Sequence, residues 1–500
     1  MTDARPPHTR AGRALLAVAI AVRAIEYLHN KALWLDEAHL ALNILRRDFA
    51  GLTERLDYGQ GAPLGFLWAE RAIANALGPG EFALRLLPLA ASLASCFLLY
   101  TFLRRTVPAR GLLVAWTVFA LAVPITRYAA EVKPYATDLV VALALYLLLL
   151  RIERKPLTSA YAALLAIIGA IGIWLAFPAV FVLGGMGTVH FTCAAIARER
   201  KRAALLAGVG AVWVASIVLD YAVMLRHNAE NAELRTWWLD RFMPLPPMSL
   251  SDTNWFVRTC FESFADPLGL GTGGAGIGAL LFALGMYAVW RRDRPRLALL
   301  LAPIVVGLLA SGMQLYPFMG RFLLYLVPIL LAGIGEGWTF LAENVRQRAV
   351  LAAAGLVLLI QPVAATAKGV LKPGAEGIRP AFACMRDRWQ DSDRLYVYCW
   401  AVPLFEYYEI KAGAAFPKTA GRSLRADWAG YRAELEPLRG EKRVWFVLTN
   451  TPRQLVGQED KFLLTHLDTI GQRIDSGVFD ESSAYLYDLS APPGRSNAPW

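Results

Sequence analysis

The chain has 500 residues, of which 56% are hydrophobic and only 18% are charged, and its mean hydropathy is +0.40. This composition is too apolar for a soluble globular protein, so it excludes that class and indicates an integral membrane protein. The 51 Lys and Arg residues outnumber the 40 Asp and Glu residues. Membrane topology accounts for most of this excess, so the charge balance indicates no nucleic-acid partner.

Apolar runs recur through the first 366 residues. At roughly 16–20 residues each, they have the length that a helix needs to cross about 30 Å of hydrocarbon. The first run is interrupted by Arg23, Glu26, His29 and Lys31, so the alternative that it does not cross stays open. The runs predict eleven spans, near residues 13–31, 84–103, 111–126, 135–150, 158–175, 177–195, 203–224, 274–290, 297–313, 322–340 and 347–366.

Basic residues cluster on every second turn between these spans, and such turns are expected in the cytoplasm. The alternation then places residues 32–83, 127–134, 225–273, 314–321 and everything after about residue 367 on the outer face. The basic clusters are Arg104/Arg105/Arg110, Arg151/Arg154/Lys155, Arg198/Arg200/Lys201/Arg202, Arg291/Arg292/Arg294/Arg296 and Arg346/Arg348.

The C-terminal part of the chain has a different pattern. Its hydrophobic runs have the length of strands, at residues 395–398, 444–448 and 483–489. We therefore predict a transmembrane domain at residues 1–366 and a soluble extracytoplasmic α/β domain at residues 367–500. Five cysteines are too few for a disulfide framework, although a Cys384–Cys399 bridge on the outer side stays open.

An acidic pair, Asp36-Glu37, follows the first span. The apolar residues from Trp34 to Ile44 repeat at helical spacing and predict an interfacial helix that begins with this pair. Carboxylates in a first helical turn interact favourably with the helix dipole and can cap it, which is a purely structural interpretation. The other interpretation is chemistry at the membrane surface.

Further polar residues lie at the predicted outer boundary. The segment from Arg127 to Tyr135 adds Glu131 and Lys133, and Arg321 begins the tenth span. Several cations at this level suit an anionic lipid headgroup such as a polyprenyl phosphate. The alternatives are a girdle of interfacial tyrosine and basic residues, and snorkelling of Arg321.

Three segments together resemble the membrane glycosyltransferases of the GT-C fold, near the protein O-mannosyltransferase and aminoarabinose transferase branch. They are Trp34-Leu35-Asp36-Glu37-Ala38, the segment 127–135, and the helix start at 321–328. The resemblance covers about residues 10–366 and implies a polytopic α-helical membrane protein of about eleven transmembrane helices. It also implies transfer of a hexosyl or pentosyl group from a polyprenyl-phosphate-linked donor to an extracytoplasmic acceptor, usually with inversion.

Carried onto this chain, the resemblance makes Asp36 the base that accepts the acceptor's proton. Glu37 would orient the acceptor or help to hold a divalent metal ion, if one is used. Apart from the resemblance, His39 lies three residues from Asp36, at a spacing that puts both on one helical face, and is a further candidate metal ligand beside Glu37. Phosphate binding would fall to Arg127, Lys133 and Arg321, with Glu131 and Tyr135 in the same substrate site.

The resemblance implies membrane lipids and a polyprenyl-phosphate sugar as partners. The acceptor is a cell-envelope glycan, a lipid or a protein, and the C-terminal segment has no motif that selects among them. By analogy with bacterial relatives of this kind, we expect the protein in the inner (plasma) membrane. Its active site and C-terminal domain would then face the periplasm or exterior.

The competing function is a transporter or flippase of lipid-linked sugars. Such proteins place ionisable residues near the midplane, whereas the strongest charges here cluster at the outer boundary. Asp138 and Asp220 are partial exceptions, since each lies within or beside a span. In the outer loop 225–273, the pair Trp237-Trp238 either seats the loop in the interface or stacks on a sugar.

Overall fold

The computed structural model describes residues 9–226, 238–372, 375–424, 427–449 and 459–490. They form two compact units. The first unit comprises the described residues of Met1–Leu28, Arg47–Ile73 and Arg85–Lys372, and the second those of His29–Arg46, Ala74–Leu84 and Pro373–Trp500. The second unit therefore combines two pieces of the predicted first outer loop with the C-terminal segment.

Helices make up most of the chain before residue 372. A 3₁₀ segment, Gly320–Leu326, leads into the helix that starts at Val327. In chain order the helices are α1 (Thr9–Leu28), α2 (Leu35–Arg46), α3 (Leu64–Leu77), α4 (Glu81–Leu84), α5 (Leu86–Thr106), α6 (Ala109–Ala120), α7 (Val123–Arg127), α8 (Tyr135–Arg154), α9 (Ser159–Leu175), α10 (Ala179–Ile196), α11 (Arg200–Asp220), α12 (Leu250–Ala265), α13 (Thr272–Arg292), α14 (Arg294–Gly312), α15 (Val327–Asn344) and α16 (Arg348–Leu371).

Eight helices within the described ranges are long and apolar enough to cross a membrane: Glu81–Thr106, Tyr135–Glu153, Ala179–Ile196, Arg200–Met224, Thr272–Arg292, Arg294–Gly312, Gly320–Asn344 and Arg348–Leu371. The pair Ala109–Ala120 and Val123–Ala130, bent by 53°, adds a ninth if it forms one span. The predicted polytopic helical fold is confirmed. Two other predicted spans coincide with α9, which has only 17 residues, and with the charge-interrupted α1, so the count of eleven stays a prediction.

Helix α15 lies at the centre of the first unit and is buried along most of its length. Its glycines permit backbone contact with neighbouring helices. A Cβ atom on Gly337 would lie 1.8 Å from the Leu281 carbonyl oxygen of α13, and one on Gly111 of α6 would lie 1.8 Å from the Gly335 carbonyl oxygen. Small residues at such crossings replace side-chain packing with close backbone approach, as is common between membrane helices.

Arg23, the charge that makes α1 an irregular span, is fully buried in the first unit. Its Nε donates a hydrogen bond to Ser92 Oγ at 3.0 Å, and Nη1 donates to the Ala19 carbonyl oxygen at 3.0 Å. The guanidinium also lies 4.5 Å from the centre of the Phe119 ring. The cation is therefore held inside the helical unit by hydrogen bonds and a cation–π contact.

The C-terminal segment contributes a five-stranded mixed sheet of order β2-β1-β3-β5-β4. Strands β2, β1 and β3 are parallel, whereas β5 pairs antiparallel with both β3 and β4. The predicted strands correspond to β1, β3 and β5. The sheet and its helices are β1 (Arg394–Val397), β2 (Lys418–Ala420), β3 (Val444–Thr449), β4 (Gln472–Val478), β5 (Ser482–Asp488), α17 (Arg379–Asp387), α18 (Val402–Ala412), α19 (Trp428–Leu435) and α20 (Glu459–Ile470).

Cys384 and Cys399 are both free thiols in this structure, as are the other three cysteines. The sheet is thus assembled without the bridge that the sequence left open. Its central strand β3 is buried from Val444 to Leu448, so apolar packing stabilises this part of the second unit.

Candidate active site

Asp36 and Glu37 lie in the first turn of α2, as predicted, within the second unit. Glu37 is only 1% exposed, and its Oε2 accepts a hydrogen bond from the Trp34 backbone N–H at 3.3 Å. Trp34 directly precedes the helix, so this contact is the acidic half of a capping box. Asp36 is half-buried and is thus the more accessible carboxylate of the pair.

Helix α2 is fixed within the second unit by packing against α18. Arg46 at its last turn forms an ion pair with Glu406 of α18 at 2.8 Å. The residues from Glu37 to Ile44 are buried except His39. The first turn that bears the acidic pair therefore belongs to a packed helix, which restricts the position of both carboxylates.

Glu81 is a second buried acid of this unit, with 2% exposure. It accepts hydrogen bonds from Arg379 Nη2 at 2.8 Å, Lys411 Nζ at 2.5 Å and the Tyr408 hydroxyl at 3.0 Å. The Tyr407 hydroxyl donates to the nearby Pro79 carbonyl oxygen at 2.8 Å. Two cations neutralise the Glu81 carboxylate, so its role is to join α4 to the C-terminal helices.

The five other predicted site residues belong to the first unit. Glu131, Lys133 and Tyr135 are buried, with 8%, 5% and 7% exposure, whereas Arg127 is exposed. Lys133 Nζ donates to Gln60 Oε1 at 2.6 Å, and its backbone N–H donates to the Glu131 carbonyl oxygen at 2.7 Å. Lys133 is thus buried and hydrogen-bonded to Gln60. A residue of an interfacial girdle would instead have its charged group facing solvent.

Arg321 is half-buried and surrounded by aromatic rings of the same unit. Its guanidinium carbon lies 5.3 Å from the centre of the Tyr135 ring, 5.4 Å from that of Trp238 and 5.6 Å from that of Phe322. Cation–π contacts of this kind hold the guanidinium in place. Trp238 thus contacts a predicted site residue, whereas its neighbour Trp237 lies outside the described residues.

Asp266, in the loop between α12 and α13, is a site residue that the sequence did not reveal. Desolvation raises the pKa of its carboxyl, while the positive charges of Arg127 and Arg321 oppose that increase. A Cβ atom on Gly320, whose φ is +42°, would lie 2.8 Å from Asp266 Oδ2, so the chain passes Asp266 immediately before Arg321. We call Arg127, Asp266 and Arg321 the arginine–aspartate cluster.

The two acids noted within the spans are both buried. Asp138 in α8 is 6% exposed and Asp220 in α11 is 1% exposed. One carboxylate oxygen of each, Oδ1, has no hydrogen-bond partner in the described structure. Asp138 lies in the first turn of α8 and is buried within the helical unit.

Metal ligation by the acidic pair was left open by the sequence. Among the residues that the structure describes, no group of three or more His, Cys, Asp or Glu side chains is arranged to hold a metal ion. Glu37 is engaged with the Trp34 backbone, as described above. The residues around the pair thus do not form a recognisable metal site.

No model of a known protein family matches the sequence, and neither does any curated protein. Solved structures do match the fold. ArnT from Cupriavidus metallidurans in the apo state has a TM-score of 0.55 and 14% identity, over 97% of this chain and 100% of that chain. The same protein bound to undecaprenyl phosphate gives 0.53 and 13% over 96% and 98%.

The oligosaccharyltransferase of Archaeoglobus fulgidus, in complex with Zn and sulfate, matches with a TM-score of 0.54 and 13% identity over 92% of this chain and 71% of that chain. Identities this low establish likeness of fold and leave the activity to be argued from the site. The chain has the GT-C fold that these membrane proteins share, and the fold predicted from the resemblance is confirmed.

Proposed function

We propose that this protein is a glycosyltransferase that takes a sugar from a polyprenyl-phosphate-linked donor and transfers it to an acceptor at the extracytoplasmic membrane face. The observation that carries the proposal is that Arg127 and Arg321 both act on the carboxyl of Asp266, in the same unit that buries Lys133. The fold adds support, because ArnT, which it matches along 96% of the chain, has been solved with undecaprenyl phosphate bound.

The cationic residues are proposed to bind the donor phosphate. Arg127 and Arg321 offer planar forks of N–H donors that suit phosphate oxygens, and Lys133 adds a compact positive charge. The aromatic rings of Tyr135 and Trp238 hold the Arg321 guanidinium. Neutralising the phosphate makes it a better leaving group, because negative charge develops on its oxygen as the bond to the sugar breaks.

Asp36 is proposed to be the general base. It would take the proton of the acceptor group while that group's oxygen or nitrogen bonds to the sugar carbon and the lipid phosphate departs. One base suffices because the neutralised phosphate needs no proton to leave, and such assistance is typically worth about 10²–10⁴-fold in rate. Attack opposite to the leaving phosphate gives inversion.

Glu37 is proposed to position Asp36 by holding the first turn of α2 through its contact with Trp34. Since the residues around the pair do not form a recognisable metal site, the mechanism contains no step through a metal ion. The proposed partners are the lipid-linked donor, a glycan, lipid or protein acceptor, and the surrounding lipids of a bacterial inner membrane.

The test is to reconstitute the full chain in liposomes with a polyprenyl-phosphate sugar and an acceptor extract, and to follow release of the free lipid phosphate. We expect Asp36→Asn to insert normally and to lose at least about 100-fold in turnover. Asp252→Asn is the control, because Asp252 is likewise an acid in the first turn of a helix but is not part of the proposed site.

The competing flippase function makes a different prediction in the same liposomes. A flippase would move the intact lipid-linked sugar between leaflets without releasing lipid phosphate, and Asp36→Asn would leave that movement intact. Release of lipid phosphate that depends on both Asp36 and the acceptor supports the transferase.

A further inference from the structure

A second group of cations lies at the other end of helix α8 from Tyr135. Since α8 has 20 residues, the two ends are about 30 Å apart at about 1.5 Å per residue. The group surrounds a cavity of about 510 Å³, which falls within the range of about 300–1,000 Å³ that is typical of ligand pockets. Its lining residues are Arg105, Leu150, Arg151, Glu153, Lys155 and Arg296.

The lining brings together the C-terminal ends of α5 and α8 and the N-terminal turn of α14, all within the first unit. Four of the six lining residues are cations and one is a carboxylate. Leu150, with 5% exposure, provides an apolar surface. A cavity with this composition favours a ligand that is negatively charged and has an apolar part.

Two of the cations are oriented by contacts with the protein. Arg296 Nη2 donates to the Arg105 carbonyl oxygen at 2.9 Å, while its Nε is buried without a hydrogen-bond partner in the described structure. The Arg151 guanidinium carbon lies 4.2 Å from the centre of the Tyr161 ring. The positive-inside rule accounts for basic residues at this end of the helices, but it does not account for their convergence around a cavity.

The four cations of the lining outnumber its single carboxylate, Glu153, so the cavity has an excess of positive charge that attracts an anion. We propose that this cavity binds a phosphate-bearing anion, either the headgroup of an anionic phospholipid or a free phosphate compound. Predicted topology places it on the cytoplasmic face, where basic pockets between membrane helices meet anionic headgroups. The proposal is independent of the proposed glycosyltransferase function, because none of the residues assigned to that function lines the cavity.

Native mass spectrometry of the full-length protein in detergent tests the proposal. The probes are phosphatidylglycerol, zwitterionic phosphatidylcholine and inorganic phosphate. We expect phosphatidylglycerol to bind the wild type at least tenfold more tightly than phosphatidylcholine does. The double variant Arg151→Gln/Arg296→Gln should lose that preference, whereas Arg104→Gln/Arg346→Gln, which removes two basic residues outside the lining, should keep it.

Comparing phosphatidylglycerol with inorganic phosphate also distinguishes the two possible sources of the phosphate group. Binding of phosphatidylglycerol that depends on Arg151 and Arg296 identifies a lipid headgroup, and binding of inorganic phosphate alone with the same dependence identifies a free phosphate compound. Equal binding of every probe by the wild type and the double variant would overturn the proposal. If the double variant does not fold, Lys155→Gln replaces it, because Lys155 is exposed. We expect this variant to bind the anionic probe at least threefold more weakly than the wild type. Unchanged affinity would contradict the proposal.

Discussion

Asp36 and Glu37 are neighbours in the chain but differ in their surroundings. Glu37 is buried and accepts a hydrogen bond from the backbone at the start of α2, whereas Asp36 is half-buried. The sequence suggested a structural and a catalytic interpretation for the pair as a whole. The structure supports dividing them, with the cap assigned to Glu37 and the proton transfer proposed for Asp36.

Glu37→Gln and Glu37→Ala test this division. The amide oxygen of Gln can still accept from the Trp34 N–H, so we expect Glu37→Gln to keep its thermal stability and most of its turnover. Glu37→Ala removes the acceptor and should cost about 1 kcal/mol, measured as a lower unfolding temperature of the purified chain. A Glu37→Gln variant that is folded but as inactive as Asp36→Asn would make Glu37 the base instead.

Asp266 brings a negative charge to the two arginines proposed to bind phosphate. Burial raises the pKa of its carboxyl, so this charge is neutralised at a higher pH than for an ordinary aspartate. As the pH falls towards that pKa, the arginines lose their internal counter-charge and should attract an anion more strongly. If the cluster binds the donor as proposed, we therefore expect Asp266 to make that binding dependent on pH.

Asp266→Asn should bind a polyprenyl phosphodiester more tightly at pH 7. A single charge at contact distance in water-like screening is worth about 1 kcal/mol, or roughly fivefold in affinity. Titration calorimetry between pH 7 and pH 5 should show affinity rising in the wild type and nearly constant in the variant. Asp240→Asn, an exposed acid paired with Arg241, is the control, and equal pH profiles for wild type and Asp266→Asn would contradict this role.

At the scale of helices and strands, the second unit depends on ion pairs between distant segments. Glu81 of α4 contacts Arg379 of α17 and Lys411 of α18, which are about 300 residues later in the chain. The sequence around Glu81 gives no sign of these partners. No local pattern encodes a contact between residues so far apart, which is why that part of the organisation could not be predicted.

Glu81→Gln should destabilise the full chain by about 2 kcal/mol, because it leaves two cations beside a neutral amide and their partial exposure reduces the cost. Glu406→Gln is the matched control, since it breaks the more exposed pair with Arg46 and should cost less than about 1 kcal/mol. Thermal unfolding in detergent measures both. Equal losses of stability for the two variants would show that the buried Glu81 ion pairs stabilise the protein no more than the exposed pair does.

The strands were predictable to different degrees for a physical reason. Strands β1, β3 and β5 are mostly buried, so their sequences are continuous apolar or aromatic runs. Strand β2 has three residues, and β4, Gln472–Val478, alternates between exposed and half-buried positions. Strands that bury little side-chain surface leave little hydrophobic signal, and these two were missed.

At the scale of the whole chain, composition and the recurring apolar runs predicted a polytopic helical membrane protein, and the fold confirms it. The sequence also proposed both a general base, Asp36, and cations for the phosphate, Arg127, Lys133 and Arg321, because charged residues at such positions are unusual in an apolar chain. It did not propose Asp266, since this residue joins the arginines only through the packing of a loop. The alternation of basic turns gives an orientation that stays a prediction.

Cysteine labelling tests that orientation. In a background without the five native cysteines, Asp391→Cys lies on the predicted outer side and Lys201→Cys on the predicted inner side, and both positions are exposed. We expect a membrane-impermeant maleimide to label only the first in intact cells and both after permeabilisation. Labelling of Lys201→Cys in intact cells would reverse the orientation.

The most direct test of the central claim is to delete the gene in its host and identify, by mass spectrometry, the polyprenyl-phosphate sugar that accumulates. A transferase that consumes this donor predicts accumulation that is reversed by the wild-type gene and not by Asp36→Asn. The accumulating lipid would also identify the sugar. No accumulation, or reversal by both genes, would contradict Asp36-dependent sugar transfer.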